Sequence, residues 1–189
     1  MVSTNKNKVA SIARDLKKYG IKLRHINMSL PELQSNDFNQ VAMEKARVAF
    51  KAIGKPCIVQ DSGFFVTSLN GFPGVLTHPV LDMIGIDGIL KLTEGRNREC
   101  GFEHVIAYYD GVGEPHKFGS KTFGTMTKRP IGSRKSYHWS RLFEIYLPNG
   151  SKKTLSQMTL KEFRAWHDGN EHSKDVERFA KWYLKKESQ

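Results

Sequence analysis

The sequence is poor in cysteine and has no long apolar run. Its 189 residues include two cysteines, Cys57 and Cys100, and two thiols form neither a disulfide framework nor a CxxC metal site. Both stand in apolar or strand-like surroundings, so we expect reduced packing residues in a cytoplasmic protein. No stretch approaches the roughly 18 apolar residues of a membrane span, and the first residues lack a signal-peptide core, so no membrane partner is expected.

Acidic residues are scarce relative to basic ones. The chain has 30 Lys and Arg against 19 Asp and Glu, a formal charge of +11 with a pI near 9.7. This balance excludes an acidic solvating protein and indicates an anionic partner: a polyphosphate, a nucleic acid or an acidic membrane surface. With 39% hydrophobic residues, the chain can bury a proper core. Its size predicts one domain over residues 1–189.

Helical spacing of apolar residues predicts four helices. The first follows residues 5–8 and ends at Gly20, and the second runs from N-cap candidates at 35–37 to Gly54. A third covers about residues 80–92 and is broken by Gly85 and Gly88. The fourth is the C-terminal helix, whose apolar stripe includes Val176 and Phe179.

Strand signals lie between the predicted helices. Alternation predicts a strand at 21–27, a short buried strand at 57–59 that leads into a turn at 60–63, and a strand at 64–69 closed by Asn70-Gly71. Further strands are predicted at 102–109, 117–127 and 142–147. The order of elements indicates a mixed α/β protein built round a twisted sheet.

Three segments carry groups that suit chemistry. Residues 3–8 form a polar, lysine-bearing loop at a helix entrance, which suits a phosphate or serves as an ordinary N-cap. Residues 60–63 place an acid at a strand end, either as a ligand-facing group or as a turn residue that satisfies local N–H groups. Residues 70–74 read as a hairpin turn.

Together these segments resemble the inosine-triphosphate pyrophosphatases, which hydrolyse non-canonical purine nucleoside triphosphates such as dITP and XTP to the monophosphate and pyrophosphate. Residues 3–8 are similar to that family's T-x-N-x-x-K loop, and residues 60–74 to its D-D-S-G-L-x-V-x-A-L-x-G-x-P-G core. Weaker similarity extends to about residue 150.

The resemblance implies an elongated α/β fold with a mixed twisted sheet flanked by helices, two lobes with the nucleotide in a central cleft, and a homodimer. Asp61 would align the attacking water or hold Mg²⁺. The groups that would bind the phosphates are Ser3, Asn5, Lys8, Lys45, Ser62 and Gly63. The groups that would bind the base are Phe64, His78, Trp139 and Ser140.

Several positions depart from the family pattern. Carboxylates are replaced at three positions, by Gln40 and Gln60 at the catalytic site and by Ser11 after the loop lysine. Because Mg²⁺ prefers anionic oxygens, these changes weaken its site. Glu44 and Asp37 are near enough in sequence to compensate.

The base pocket differs as well. Residues 137–143 stand where the family has G-F-G-Y-D-P-x-F. Trp139, at the position of the tyrosine, could still stack on a base, whereas Ser140 and Arg141 replace the acid and the proline. The S-H-R signature is matched at best by residues 173–175, with His172 just before them. His78 is nearest to the basic residue expected after G-x-P-G.

The sequence leaves several functions open. The first is a nucleoside triphosphate pyrophosphatase with an altered base preference, or a related hydrolase of a nucleoside monophosphate. The second is a catalytically silent nucleotide-binding protein, which the three acid-to-neutral changes favour. The third is a nucleic-acid binder, in which basic clusters and interleaved aromatics such as Tyr137 would contact the strand.

Overall fold

The computed structural model describes residues 1–31, 33–169 and 174–188. Its helices are α1 (Lys6–Lys17), α2 (Phe38–Ile53), α3 (Thr77–Leu92), α4 (Leu160–Gly169) and α5 (Lys174–Glu187). Its strands are β1 (Cys57–Val66), β2 (Pro73–Gly74), β3 (Glu99–Tyr109), β4 (His116–Met126) and β5 (Tyr146–Pro148). Short 3₁₀ segments cover Thr67–Leu69, Arg141–Glu144 and Leu155–Gln157.

The five strands form one sheet in the order β2-β1-β3-β4-β5. β1 pairs antiparallel with β2, and β4 pairs antiparallel with β5. The predicted α/β fold, a sheet flanked by helices, is confirmed. No helix in the described ranges combines the length and the apolar character needed to cross a membrane.

The chain divides into two compact units, each with its own core. The first unit comprises residues 1–61, 104–120 and 173–189, and the second comprises residues 62–103 and 121–172. In the first, α1 and α5 pack their apolar stripes on Ile58 of β1 and on Ile106 and Tyr108 of β3. In the second, the core contains side chains of β1, α3, β3 and α4, with Phe64 and Phe102 in edge-to-face contact at 5.2 Å.

The first two helices begin and end where the sequence supplies caps. Asn5 Oδ1 accepts a hydrogen bond from the backbone N–H of Lys8 at the start of α1, and Asp37 Oδ1 accepts one from Asn39 at the start of α2. At the end of α2, Gly54 adopts the left-handed conformation with φ of 63°, which glycine adopts without a steric penalty.

Some sequence predictions are wrong in detail. Residues 21–27 form no strand: Ile26 makes one isolated bridge to Val2 and exchanges backbone hydrogen bonds with Met1 and Ser3, and a single bridge does not make a strand. Residues 60–63 do not form a turn but lie inside β1, where Gly63 is not among the glycines with positive φ. The predicted strand at 142–147 is a 3₁₀ segment followed by the short strand β5.

The predicted break in the third helix is half right. At Gly85 the backbone takes φ of 64° and ψ of −171°, which kinks α3, whereas the helix continues through Gly88. Helix α4 was not among the predicted helices. The cysteines are both free and buried, and burial raises the pKa of Cys57 to about 11 and that of Cys100 to about 12, as expected for packing residues.

Candidate functional site

Strand β1 directs polar side chains of the first unit to two faces. Side chains alternate along a strand, so Cys57 and Asp61 point one way and Ile58 and Gln60 the other. On the first face, the Cys57 thiol donates to the carbonyl of Ala46 in α2 at 3.8 Å. On the second face, Ile58 packs in the core that α1 and α5 cover.

On the α2 face, Asp61 forms an ion pair with Lys45. The Lys45 ammonium donates to Asp61 Oδ1 at 2.7 Å, and the two side chains are only 12% and 11% exposed. Because both side chains are largely buried, water screens their attraction only weakly. Removing either partner would therefore leave a buried charge without compensation. The arrangement places an anionic oxygen, able to orient water, against a cation that can also attract a phosphate.

At the entrance to α1, the predicted phosphate loop is a capped helix start. Ser3 Oγ accepts a hydrogen bond from the backbone N–H of Asn5 at 3.1 Å, while Asn5 caps the helix through Lys8. The backbone N–H of Val2 donates to the carbonyl of Ile58 at 3.0 Å, which ties this segment to β1. The helix N-terminus keeps its positive end, which favours an anion.

The remaining predicted acidic or amide positions on α2 are used locally. Gln40 is exposed, and its carbonyl oxygen accepts a hydrogen bond from the Ser35 hydroxyl at 2.8 Å. Asp37 caps α2, and the backbone N–H of Asn39 lowers its pKa. Glu44 pairs with Arg47 at 3.2 Å. The two acids that could have compensated for the missing carboxylates therefore have local partners.

On the α5 face, Gln60 contacts Asp175, which the sequence analysis named only as the last position of the stretch that best matches the S-H-R signature. Its amide nitrogen donates to Asp175 Oδ2 at 2.5 Å. Asp175 has no exposed surface, and burial raises its pKa to about 6. In the sequence, Asp175 directly precedes Val176, which belongs to the apolar stripe of the C-terminal helix. An acid next to a buried position was the signal that could have identified this residue. Ser173 and His172, named in the same stretch, lie outside the described residues.

The other predicted site residues belong to the second unit or begin it. Ser62 and Gly63 continue β1, half-buried and buried respectively. Phe64 has no exposed surface and packs against Phe102, so its ring cannot stack on a base without rearranging that core. His78 lies at the start of α3 with its side chain 90% exposed and paired with Asp82.

The segment at 137–143 in the second unit is an aromatic cluster. Trp139 is partly buried and meets Phe143 edge-on at 5.0 Å. Ser140 Oγ accepts from the backbone N–H of Leu142 and caps the 3₁₀ segment. His138, which the sequence analysis did not single out, is buried; burial and then the charge of Lys135 lower its pKa to about 4.

Comparison with known proteins confirms the resemblance predicted from the sequence. A model of the Ham1 family matches residues 1–168. The dITP/XTP pyrophosphatase of Methanopyrus kandleri is 36% identical over 170 residues, covering 89% of this chain and 86% of that protein. The dITP/XTP pyrophosphatase of Thermococcus kodakarensis is 34% identical over 183 residues, covering 96% and 94%. A HAM1 protein from Coxiella burnetii matches in structure with a TM-score of 0.77 at 22% identity, covering 97% of this chain and 98% of that one, which shows the common fold.

Proposed function

This chain belongs to the Ham1 family, and on that premise we propose that it hydrolyses nucleoside triphosphates of the non-canonical purine class, such as dITP and XTP, to the monophosphate and pyrophosphate. Relatives that carry the name dITP/XTP pyrophosphatase align with nearly the whole chain. The observation that carries the proposal is the 2.7 Å ion pair between Lys45 of α2 and Asp61 of β1, because hydrolysis of a phosphoanhydride needs a positioned water and a cation for the phosphates.

In the proposed reaction, Asp61 accepts a hydrogen bond from the attacking water. The water oxygen bonds to the α-phosphorus, its proton is taken up by the carboxylate, and the bond from the α-phosphorus to the bridging oxygen breaks. Pyrophosphate leaves with the bonding electron pair. Lys45 stays close to the reacting phosphate, where its ammonium offsets the negative charge on the phosphate oxygens in the transition state.

The start of α1 would hold the phosphates further from the cleaved bond. The positive end of this helix favours an anion, and Lys8 in the first turn adds a charge. The hydroxyl of Ser3 and the amide of Asn5 contribute by fixing this loop, since both accept backbone hydrogen bonds within it. Ser62 and Gly63, next along β1, remain candidates for backbone contacts to phosphate.

The donor set fits a magnesium ion shared with the substrate. Mg²⁺ in nucleotide sites is commonly bound by one or two carboxylates together with substrate phosphates. Asp61 supplies one carboxylate, whereas Gln40 is engaged by Ser35 and Gln60 by Asp175. Asp61 would therefore hold the ion, which neutralises phosphate charge when bound.

Base recognition is the part we expect to differ from the relatives. Trp139 offers a partly exposed ring for stacking, whereas the Ser140 hydroxyl is engaged in a cap. His78 is exposed enough to reach a ligand. We therefore propose Trp139 and His78 as the base-side contacts.

We also propose that two copies of the chain associate and that the protein works in the cytoplasm. Around α3, Met83 is 74% exposed, Leu76 45% and Ile84 42%, and a second copy that covers these side chains would remove them from water. The buried free thiols of Cys57 and Cys100 fit a reducing compartment.

A product assay tests the proposed function. The protein is incubated with a panel of canonical and modified nucleotides, including monophosphates, with and without Mg²⁺, and products are identified by mass spectrometry. We expect pyrophosphate and a monophosphate from XTP or dITP. Calorimetric binding without any product would instead indicate a silent nucleotide binder, and no binding to any nucleotide would refute the proposal.

A further inference from the structure

Two segments of the second unit carry cations and no acids. Residues 127–137 and 150–161 contain seven Lys and Arg residues and neither Asp nor Glu. Within the ranges that the structure describes, Lys153 pairs with Glu162 at 2.6 Å, and Lys135 is half-buried. The other five cations are exposed and form no ion pair. We call them the basic surface, and they are Lys128, Arg129, Arg134, Lys152 and Lys161.

Hydrogen bonds hold the two segments side by side. The Thr154 hydroxyl donates to the carbonyl of Ile131 at 3.0 Å. The Lys135 ammonium and the Tyr137 hydroxyl both donate to the carbonyl of Met158, at 2.5 and 2.9 Å. The fold therefore collects cations that are up to 33 positions apart in the chain into one region of the surface.

The backbone of this region is fixed before any ligand binds. Gly132 has a φ of 88°, and a Cβ at this position would lie 2.4 Å from the Ser156 hydroxyl oxygen, so the two segments approach as closely as a glycine allows. Ser156 and Thr154 are each 1% exposed. A ligand that binds here consequently pays little to order the loop that carries Lys128, Arg129 and Arg134.

The charges of the basic surface are not neutralised by the protein. Clustered like charges repel one another, which costs the folded state free energy. A polyanion bound across them removes this repulsion and releases the counterions that its own phosphates had condensed. The basic surface therefore fits a partner with several regularly spaced negative charges.

An aromatic ring stands beside these cations. Tyr137 is half-buried, its ring packs on Phe163 at 5.5 Å, and the Lys135 ammonium lies 5.9 Å from the ring centroid. Single strands bind where a cationic track runs beside aromatic rings, on which their unpaired bases stack. A ring of this kind offers nothing to a duplex, whose bases already stack on each other.

The same region lacks the features of a membrane-binding surface. Surfaces that bind anionic membranes combine basic residues with apolar side chains that enter the lipid. In residues 127–137 and 150–161, all of which the structure describes, Leu160 is the one large hydrophobic side chain that is exposed, at 40%. The composition thus favours a nucleic acid over a lipid surface.

We propose that the basic surface binds a single strand of nucleic acid, with the strand's phosphates on the five exposed cations and one base stacked on Tyr137. This is a binding activity beyond nucleotide hydrolysis. It uses none of the residues assigned to the reaction, and it stands whether or not the protein hydrolyses a nucleotide.

The salt dependence of binding is the first test. The probe is a fluorescein-labelled oligothymidylate of about 12 nucleotides, and its affinity for the full chain is measured by fluorescence anisotropy from about 50 to 300 mM NaCl. Each phosphate contact to a single strand contributes about −0.7 to the slope of log K against log salt. Five contacts predict a slope of about −3.5, and a slope near zero, or no binding at about 50 mM, would overturn the proposal.

A matched pair of charge variants locates the binding surface. The combined change Lys128→Gln, Arg129→Gln and Arg134→Gln should weaken binding at about 50 mM salt by at least about 30-fold and make the slope shallower by about 2. The control removes three cations of the first unit that are equally exposed, by Lys17→Gln, Lys22→Gln and Arg24→Gln. It should stay within about threefold of wild type. Equal losses in both variants, each folded by circular dichroism, would assign binding to net charge and overturn the proposal.

Stacking on Tyr137 has a different signature. Tyr137→Leu removes the ring but no charge, so affinity should fall about fivefold or more while the salt slope stays unchanged. Tyr137→Phe keeps the ring and loses the hydrogen bond to Met158, and it should bind within about twofold of wild type. If both variants lose affinity equally, Tyr137 acts by fixing the loop and the stacking part of the proposal is wrong.

Two competing partners complete the experiment. A duplex of the same length should bind at least about fivefold more weakly than the single strand, because its bases are not free to stack. Vesicles of phosphatidylserine and phosphatidylcholine should not compete for the labelled strand. A duplex that binds as tightly as the single strand, or vesicles that displace the strand or bind in its place, would overturn the proposal.

Discussion

Replacing Asp175 by Asn should stabilise the protein at neutral pH. Asp175 has no exposed surface. In the part of the chain that the structure describes, its carboxylate accepts a hydrogen bond from the uncharged amide of Gln60. Ionising it inside the protein therefore costs free energy that the unfolded chain does not pay. Asn keeps the shape of the side chain and can still pair with Gln60, but it carries no charge.

The size of the effect follows from the pKa of the carboxyl group. Burial raises that pKa from 3.8 to about 6, and each pKa unit corresponds to about 1.4 kcal/mol, which gives about 3 kcal/mol in total. Because the folded pKa lies above the unfolded one, the folded protein binds the proton more tightly. Wild-type stability from this group is greatest below about pH 4, falls as the pH rises through about 6, and is constant above that.

Urea unfolding of both proteins at a series of pH values from 4 to 8 measures this. The difference in free energy of unfolding should be near zero at pH 4 and should reach about 3 kcal/mol in favour of the variant by pH 7. Asp110→Asn should behave in the opposite way, because Lys186 lowers the pKa of Asp110, and that variant should lose stability at neutral pH. A pH-independent difference between wild type and Asp175→Asn would refute the reasoning.

Four further changes have definite expected outcomes. Lys45→Met leaves the Asp61 carboxylate unpaired and should cost about 3 kcal/mol of unfolding free energy, recovered in part by adding Asp61→Asn; equal stability of the single and double variants would contradict this. Asn5→Ala removes the α1 cap and should cost about 1 kcal/mol by urea titration. Gly85→Ala forces a side chain into a conformation reserved for glycine and should lower stability by about 1–3 kcal/mol. Met83→Glu should shift the species seen by light scattering from dimer to monomer, and an unchanged mass would place the interface elsewhere.

Elements with local signals could be predicted from the sequence. The caps at Asn5 and Asp37 and the stop at Gly54 lie in the chain next to the helices that they bound, and the structure uses all three. Residues 60–63 misled the prediction, because Asp, Ser and Gly together are typical of a turn. Pairing of the whole segment Cys57–Val66 within the sheet overrode that local preference.

The sequence names residues of the candidate site one by one, but it does not show which of them are in contact. Lys45 and Asp61 were each named from motifs, yet their ion pair joins α2 to β1 across 16 positions and needs the packing of both. The contact between Gln60 and Asp175 spans 115 positions. The sequence shows both residues as departures from a pattern, and the fold shows that they meet.

The most direct test of the central claim compares pyrophosphate release from XTP by wild type, Asp61→Asn and Asp87→Asn, with Mg²⁺ present and folding checked by circular dichroism. Asp87 is an exposed acid on α3 and serves as the matched control. We predict rapid release by wild type and Asp87→Asn, and a loss of at least about 100-fold in Asp61→Asn, the scale of a lost acid–base group. A folded Asp61→Asn protein with the wild-type rate would contradict the assignment of this carboxylate to the reaction.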